Sequence, residues 1–172
     1  KWTDMLTEVV STESTSTSYN PVVVVDDTNI HIAWHDWTDY GGSGTDADIF
    51  YKTKARSGKW TDMLTEVVST ESTSYSYLPT IAVDDANIHL VWHDYTNYNG
   101  AGTDIDIFYK TKSKTGKWTD MLTEVVSTES TSTSYNPVVV VDDTNIHIAW
   151  YDYTDYGGSG TDADIFYKTK SK

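Results

Sequence analysis

Along this chain hydrophobic and polar positions change over in short bursts, and no apolar residues recur at the spacing of a helix face over a useful length. Residues 22–25, four valines after Pro21, form a continuous apolar run suited to a strand buried on both faces, and Asp26, Asp27 and Asn29 supply turn chemistry after it. From residue 29 to 37 the period is two, with Ile30, Ile32 and Trp34 on one face and His31, Ala33 and His35 on the other. A glycine-rich loop, 38–47, leads to a third strand over 48–54. A turn at Ser57 and Gly58 then leads to a fourth strand expected over 59–69. We label these strands A, B, C and D.

The pattern then repeats. The fifteen residues beginning Lys-Trp-Thr-Asp-Met-Leu start at Lys1, Lys59 and Lys117, a period of 58. Residues 1–56 and 117–172 differ at four places: His35/Tyr151, Trp37/Tyr153, Ala55/Ser171 and Arg56/Lys172. The middle repeat differs more, for example at Thr17/Tyr75, Asn20/Leu78 and Asp39/Asn97. Copies this similar imply recent amplification of a unit selected to stack on itself. Four antiparallel strands per unit, with β-branched and aromatic residues on both faces, predict an all-β chain of β-propeller blades rather than a sandwich, whose solvated face would alternate more cleanly.

Two segments resemble the sialidase-like, or BNR-repeat, propellers. Pro21-Val-Val-Val-Val-Asp26 leading to Asn29-Ile-His-Ile-Ala-Trp34-His-Asp36 is similar to that family's strand A to strand B passage. Ile49-Phe-Tyr-Lys-Thr-Lys54 followed by Gly58-Lys-Trp60-Thr61 is similar to its Asp-box region between C and D, although the turns lack the box's acidic residue and are degenerate. The strand phase runs D-A-B-C in each of the repeats 1–58, 59–116 and 117–172, three blades in one domain of 1–172. The resulting expectation is a six-bladed ring made by a homodimer, residues 1–11 of each chain pairing as strand D with 165–170 of the other. The alternative is a segment of a longer array. Beginning at Lys1 rather than Met, the chain reads as a mature product, a fragment or a trimmed piece.

Composition narrows the partners. There are 26 acidic against 12 basic residues, for a net charge of -14, which repels phosphate backbones and argues against nucleic acid. No apolar run is long enough to span a membrane, and with no cysteine neither disulfides nor thiolate metal sites are available.

Function is expected on the face that carries the D-to-A links and the long B-to-C loops, 36–48, 94–106 and 152–164. Trp37, Tyr40, Tyr95, Tyr98, Tyr153 and Tyr156 offer flat platforms for a glycan or a surface protein, with neighbouring Asp and Asn for hydrogen bonds. The oxygen-rich loops also offer calcium a ligand set: Asp36, Asp39, Asp46 and Asp48, with Asp94, Asp104 and Asp106, and Asp152, Asp155, Asp162 and Asp164, at a spacing that matches no strict motif. Against both stands the plainer role of each Asp as a turn cap or solvating group. His31, His89 and His147, with His35 and His93, are read as packing between blades, and Glu8 and Glu13 as repeated surface positions. The resemblance to sialidases implies an arginine triad for catalysis, and the chain holds one arginine, Arg56, in a turn on the opposite face. The sequence therefore points to a noncatalytic module, extracellular or at the cell surface, that needs no cofactor beyond calcium. A purely structural repeat of a surface assembly is the alternative, and glycoside hydrolysis by paired carboxylates a more remote one.

Overall fold

The computed structural model describes Lys1 and residues 6–172, so the part of the expected N-terminal strand D at 2–5 lies outside the described residues. Eleven strands are described: β1 (Ser18–Val25), β2 (Asn29–Asp36), β3 (Asp48–Ala55), β4 (Glu66–Val67), β5 (Ser76–Val83), β6 (Asn87–Asp94), β7 (Asp106–Ser113), β8 (Glu124–Val125), β9 (Ser134–Val141), β10 (Asn145–Asp152) and β11 (Asp164–Ser171). They form two four-stranded sheets, β1-β2-β3-β4 and β5-β6-β7-β8, and a three-stranded sheet, β9-β10-β11, antiparallel throughout. Among the described residues no helix is long and apolar enough to cross a membrane.

Each A strand begins four residues before its apolar run. Ser18 and Tyr19 pair with Asp36 and His35, and a bulge at Asn20 and Pro21 shifts the register before Val22 meets Ala33. Asn20, Leu78 and Asn136 take up φ near +50° at this bulge, a conformation asparagine tolerates and leucine resists. The proline that follows costs no ladder bond because A is the edge of its sheet. The A-to-B turn closes on Asp26, whose carboxylate accepts from the amides of Thr28 at 2.8 Å and Asn29 at 2.7 Å.

Strand D is far shorter than its alternation suggests. Residues 60–62 instead form a 3-10 turn that buries Trp60, and only Glu66 and Val67 pair with β3. Burying that indole offsets the ladder bonds forgone over the first half of the segment.

The sheets stack face to face. Ala33, Ile49 and Tyr51 of the first meet Ile88, Leu90, Trp92 and Phe108 of the second, while Val91, Ile107 and Tyr109 of the second meet Ile148 and Trp150 of the third. Ion pairs bolt each sheet to the one before it. Lys114 reaches Asp26 at 2.8 Å and Lys172 reaches Asp84 at 3.0 Å. Behind these, His31 contacts Asp26 through Nε2 and the Tyr51 hydroxyl, 2.7 Å away, through Nδ1. Against the opposing cost of burial, Lys114 and the turn amides hold the Asp26 carboxyl far below the usual carboxylate range. Glu13 and Glu71 are not simple surface groups: buried Lys52 donates to Glu13 at 3.0 Å and buried Lys110 to Glu71 at 2.8 Å, fastening each incoming D-to-A link.

Two faces of the stack are open. On the first sheet Val23 and Val25 are exposed, whereas Val139, the counterpart of Val23, is buried. On the third sheet Val138, Val140, Ile165 and Tyr167 are exposed. The expectation that the valine run is buried on both faces fails at these two places because no neighbouring sheet lies over them.

Candidate functional site

Strands β1, β5 and β9 lie side by side, so the beginnings of the A strands and the ends of the B strands converge on the D-A/B-C face. Their aromatic side chains form one line across all three sheets. Tyr19 lies 5.8 Å from His35 between ring centroids, His35 5.0 Å from Tyr77, Tyr77 5.9 Å from His93, His93 5.4 Å from Tyr135, and Tyr135 5.5 Å from Tyr151. Steps from a B-strand ring to the next A-strand ring cross from sheet to sheet, so the line also ties the blades together.

A second tier stands over it. Trp37 packs on Tyr75 at 5.4 Å, Tyr75 stacks on Tyr77 at 5.8 Å with planes 6° apart, Tyr95 lies edge-on to Tyr77 at 6.0 Å, and Tyr153 is edge-on to Tyr151 at 6.0 Å. Tyr75, Tyr95 and Tyr153 are each about two-fifths exposed. Beneath them His35 and His93 are buried, and the Nδ1 of each has no hydrogen-bond partner. Burial pushes His93 down to about 4, with neighbouring His35 adding to the shift, and burial lowers His35 too. Both rings are therefore neutral at pH 7 and still carry one unsatisfied nitrogen.

Three of the six expected platforms, Trp37, Tyr95 and Tyr153, belong to this cluster. The other three lie farther out: Tyr40, Tyr98 and Tyr156 pack against Phe50, Phe108 and Phe166 at 6.1, 5.9 and 5.8 Å. Tyr40 also borders a groove of about 750 Å³ between its loop and the segments around Leu64 and Trp118. Tyr19, Tyr75, Tyr77 and Tyr135 were missed because residues 12–20 read as a Ser/Thr-rich link. The available signal was a tyrosine two residues before proline in every repeat, at 19, 77 and 135.

The acidic residues hold loops in place. Asp36 accepts from Ser14, Ser18, the Trp34 indole and the Thr38 amide, and its copies Asp94 and Asp152 have the same set of partners. Although burial works against it, those donors keep the Asp36 and Asp152 carboxyls below the ordinary range. Asp39 and Asp155 accept from the Gly44 and Gly160 amides across their loops, a role Asn97 takes over in the middle repeat. Asp46 folds back on Gly44, where φ is +110° and an added Cβ would sit 2.9 Å from the carboxylate; Asp104 and Asp162 do the same at Gly102 and Gly160. Asp48, opposite Asp36 on the last rung, accepts from Ser69 at 2.7 Å, and Asp106 accepts from Ser127 at 2.6 Å. One oxygen of each of Asp48, Asp106 and Asp164 is left without a partner. Burial raises Asp48 and Asp106 to about 6. Among the described residues no three acidic, histidine or cysteine side chains gather as a metal site would require.

No protein-family model matches the chain, and no curated protein matches it in sequence. Solved structures do match its fold. One is an alpha-L-arabinofuranosidase from Podospora anserina in complex with cellotriose, at 12% identity and TM-score 0.53, over 91% of this chain and 46% of that one. Another is a Penicillium chrysogenum alpha-L-arabinanase complexed with arabinobiose, at 11% identity and TM-score 0.57, over 84% and 44%. A third is the catalytic domain of a Coprinopsis cinerea GH62 alpha-L-arabinofuranosidase, at 11% identity and TM-score 0.53, over 93% and 48%. The chain spans about half the length of these structures, and the fold it shares with them is a β-propeller. The expectation that the chain is not an enzyme is overturned here, since all three similar folds are glycoside hydrolases. It rested on the missing arginine triad, which serves sugars that bear a carboxylate; a neutral sugar needs paired carboxyl groups instead.

Proposed function

We propose that this chain is part of a carbohydrate-recognising β-propeller whose ligand lies along the aromatic line from Tyr19 to Tyr151. The observation that carries the reading is the open tier of Trp37, Tyr75, Tyr95 and Tyr153 standing over a continuous aromatic line. A sugar ring presents apolar C–H faces and a rim of hydroxyls, so it binds flat aromatic surface that is bordered by polar groups. The glycoside hydrolases that share the fold support a glycan as ligand. The finer reading keeps the repeat sialidase-like, the setting extracellular or cell-surface, and the ring six-bladed and made by a homodimer. Two chains would match the length of the folds this one half covers.

Titration calorimetry with arabinobiose, cellotriose and soluble arabinan tests the ligand. The Tyr77→Ala and Tyr95→Ala variants should each bind at least about tenfold more weakly than wild type, the loss of roughly one aromatic anchor. Tyr40→Ala, Tyr98→Ala and Tyr156→Ala should bind within about threefold of wild type, since those rings rest on phenylalanines. Wild type that binds none of the three sugars, or Tyr77→Ala and Tyr95→Ala variants that bind as well as wild type, would leave a structural role in a surface assembly as the better account. Reducing ends released in the same mixtures would report hydrolysis on this face.

A further inference from the structure

We propose that the two open faces of the stack are mates, and that a second chain docks head to tail across both of them to close a two-chain ring. This rests on reading the chain as a propeller segment and does not require the glycan.

The seam already exists twice within the chain, so its terms can be taken from those copies. At each internal seam the sheet that follows sends a cation back to the Asp of the preceding A-to-B turn, Lys114 to Asp26 and Lys172 to Asp84. The series has one unmatched member at each end. Asp142 is the third such Asp and lies more than half exposed, bonded to His147. Arg56 is the first such cation, and its guanidinium turns to the Asp26 carbonyl at 2.6 Å. Docking brings Arg56 of one chain to Asp142 of the other, an opposite-charge pair that repeats the two internal ones.

The strand edges tell the same story. Within the chain Val68 donates to the Ile49 carbonyl at 2.7 Å, and Val126 to the Ile107 carbonyl at 2.7 Å. Ser69 and Ser127 follow, bonding the amides of Ile49 and Ile107 and the carboxylates of Asp48 and Asp106. The equivalent of Ile49 in the last sheet is exposed Ile165, on the edge strand β11, and beside it Asp164 has an unpartnered oxygen. Val10 and Ser11 are the matching donors. They already lie against the first sheet, where Lys52 donates to the Val10 carbonyl at 3.2 Å as Lys110 does to that of Val68. Residues 8–11 therefore stand where a fourth strand for another chain's β11 belongs, and an exposed β edge with apolar neighbours is a surface that proteins cover. Closure also joins the aromatic line, Tyr151 of one chain meeting Tyr19 of the other, so the glycan face draws residues from both.

Three measurements on the full chain test this. Light scattering should give twice the 19.3 kDa of one chain. The Arg56→Asp and Asp142→Arg variants should each dimerise at least about tenfold more weakly, since each sets like charges together at both seams. Their equimolar mixture should recover wild-type affinity, because in the mixed dimer both seams regain an opposite pair. The register pairs residue 8 with residue 167, as Glu66 pairs with Tyr51, so Glu8→Cys with Tyr167→Cys should form a disulfide between chains; the chain has no other cysteine. A monomer or trimer mass, variants that dimerise as wild type does, a mixture that fails to recover, or a cross-link within one chain would each overturn the proposal. A dimer that binds no sugar would sink the glycan reading alone, and a monomer that binds sugar would sink the seam alone.

Discussion

Strands β7 and β11 have the same eight residues, Asp-Ile-Phe-Tyr-Lys-Thr-Lys-Ser, and opposite environments. Ile107 is 0% exposed and its copy Ile165 78%; Tyr109 is 3% exposed and its copy Tyr167 58%. Nothing inside the strand accounts for this. β7 has β8 along its edge and the third sheet over its face, and β11 has neither. The pair teaches that in a stack of equal repeats burial belongs to the seam and not to the residue. Each measurement below compares a position on covered β7 with its copy on uncovered β11.

The largest difference should come from the isoleucines. Ile107→Ala opens a cavity between two packed sheets and should cost about 2–5 kcal/mol in urea unfolding, while Ile165→Ala in a dilute, single chain should cost less than about 0.5 kcal/mol. Raising the protein concentration sharpens the test. If a second chain covers β11, Ile165→Ala becomes costly as the dimer fills and the two positions converge. Equal costs at high dilution would break the comparison.

The same contrast marks how far the sequence can be read. Alternation at 29–36, the Asp26 turn and the 58-residue period were enough for four strands per unit and for a propeller, because those signals act within one repeat. Strand D was overdrawn, since its alternation is as good as a strand's and only the burial of Trp60 bends residues 60–62 into a turn. The aromatic line is hidden from the sequence because Tyr19 and His35 pair beside a bulge, and Tyr77 meets His35 only after two sheets have packed. The loop aspartates gave their residue type away and not their role: the Asp36 partners Ser14 and Ser18 lie 22 and 18 residues distant. Which faces stay open is invisible in principle, because the strands concerned are identical.

A smaller effect should appear with pH. Asp106 on β7 is raised to about 6 by burial, with nearby Asp104, Asp152 and Asp94 adding and Ser127 opposing. Its folded form therefore holds a proton that the unfolded chain gives up near 4, so its contribution to stability is full below that value and is lost as pH rises through 6. His93, lowered to about 4, runs the other way: its contribution is present above 6.5 and is lost as pH falls through 4. These two groups thus contribute opposed slopes between pH 4 and 7, and removing one exposes the other. Asp106→Asn should gain roughly 1–3 kcal/mol relative to wild type between pH 4.5 and pH 7.5. Asp164→Asn on β11 is the control for the same substitution without a covering sheet. A stability difference between Asp106→Asn and wild type that stays flat across this range would remove burial as the reason for the Asp106 shift.

The smallest contrast is between two ion pairs with the same sequence partners. Lys112 meets Glu66 at 2.8 Å with 3% of the lysine side chain exposed, whereas Lys170 meets Glu124 at 2.5 Å with 55% exposed. Lys112 also lies 4.8 Å from the Tyr51 ring centroid and donates to the Gly116 carbonyl. Its ammonium has little water to fall back on, so Glu66→Gln should cost about 1–2 kcal/mol and respond weakly to salt. Lys170 keeps its water, and Glu124→Gln should cost less than about 0.5 kcal/mol, an amount that disappears in 1 M salt. Chemical unfolding at two ionic strengths measures both. A cost at Glu124 that survives salt in dilute solution would mean that Lys170 is already desolvated in the single chain. The open seam would then be closed by the chain's own residues, and the difference between β7 and β11 would lose its cause.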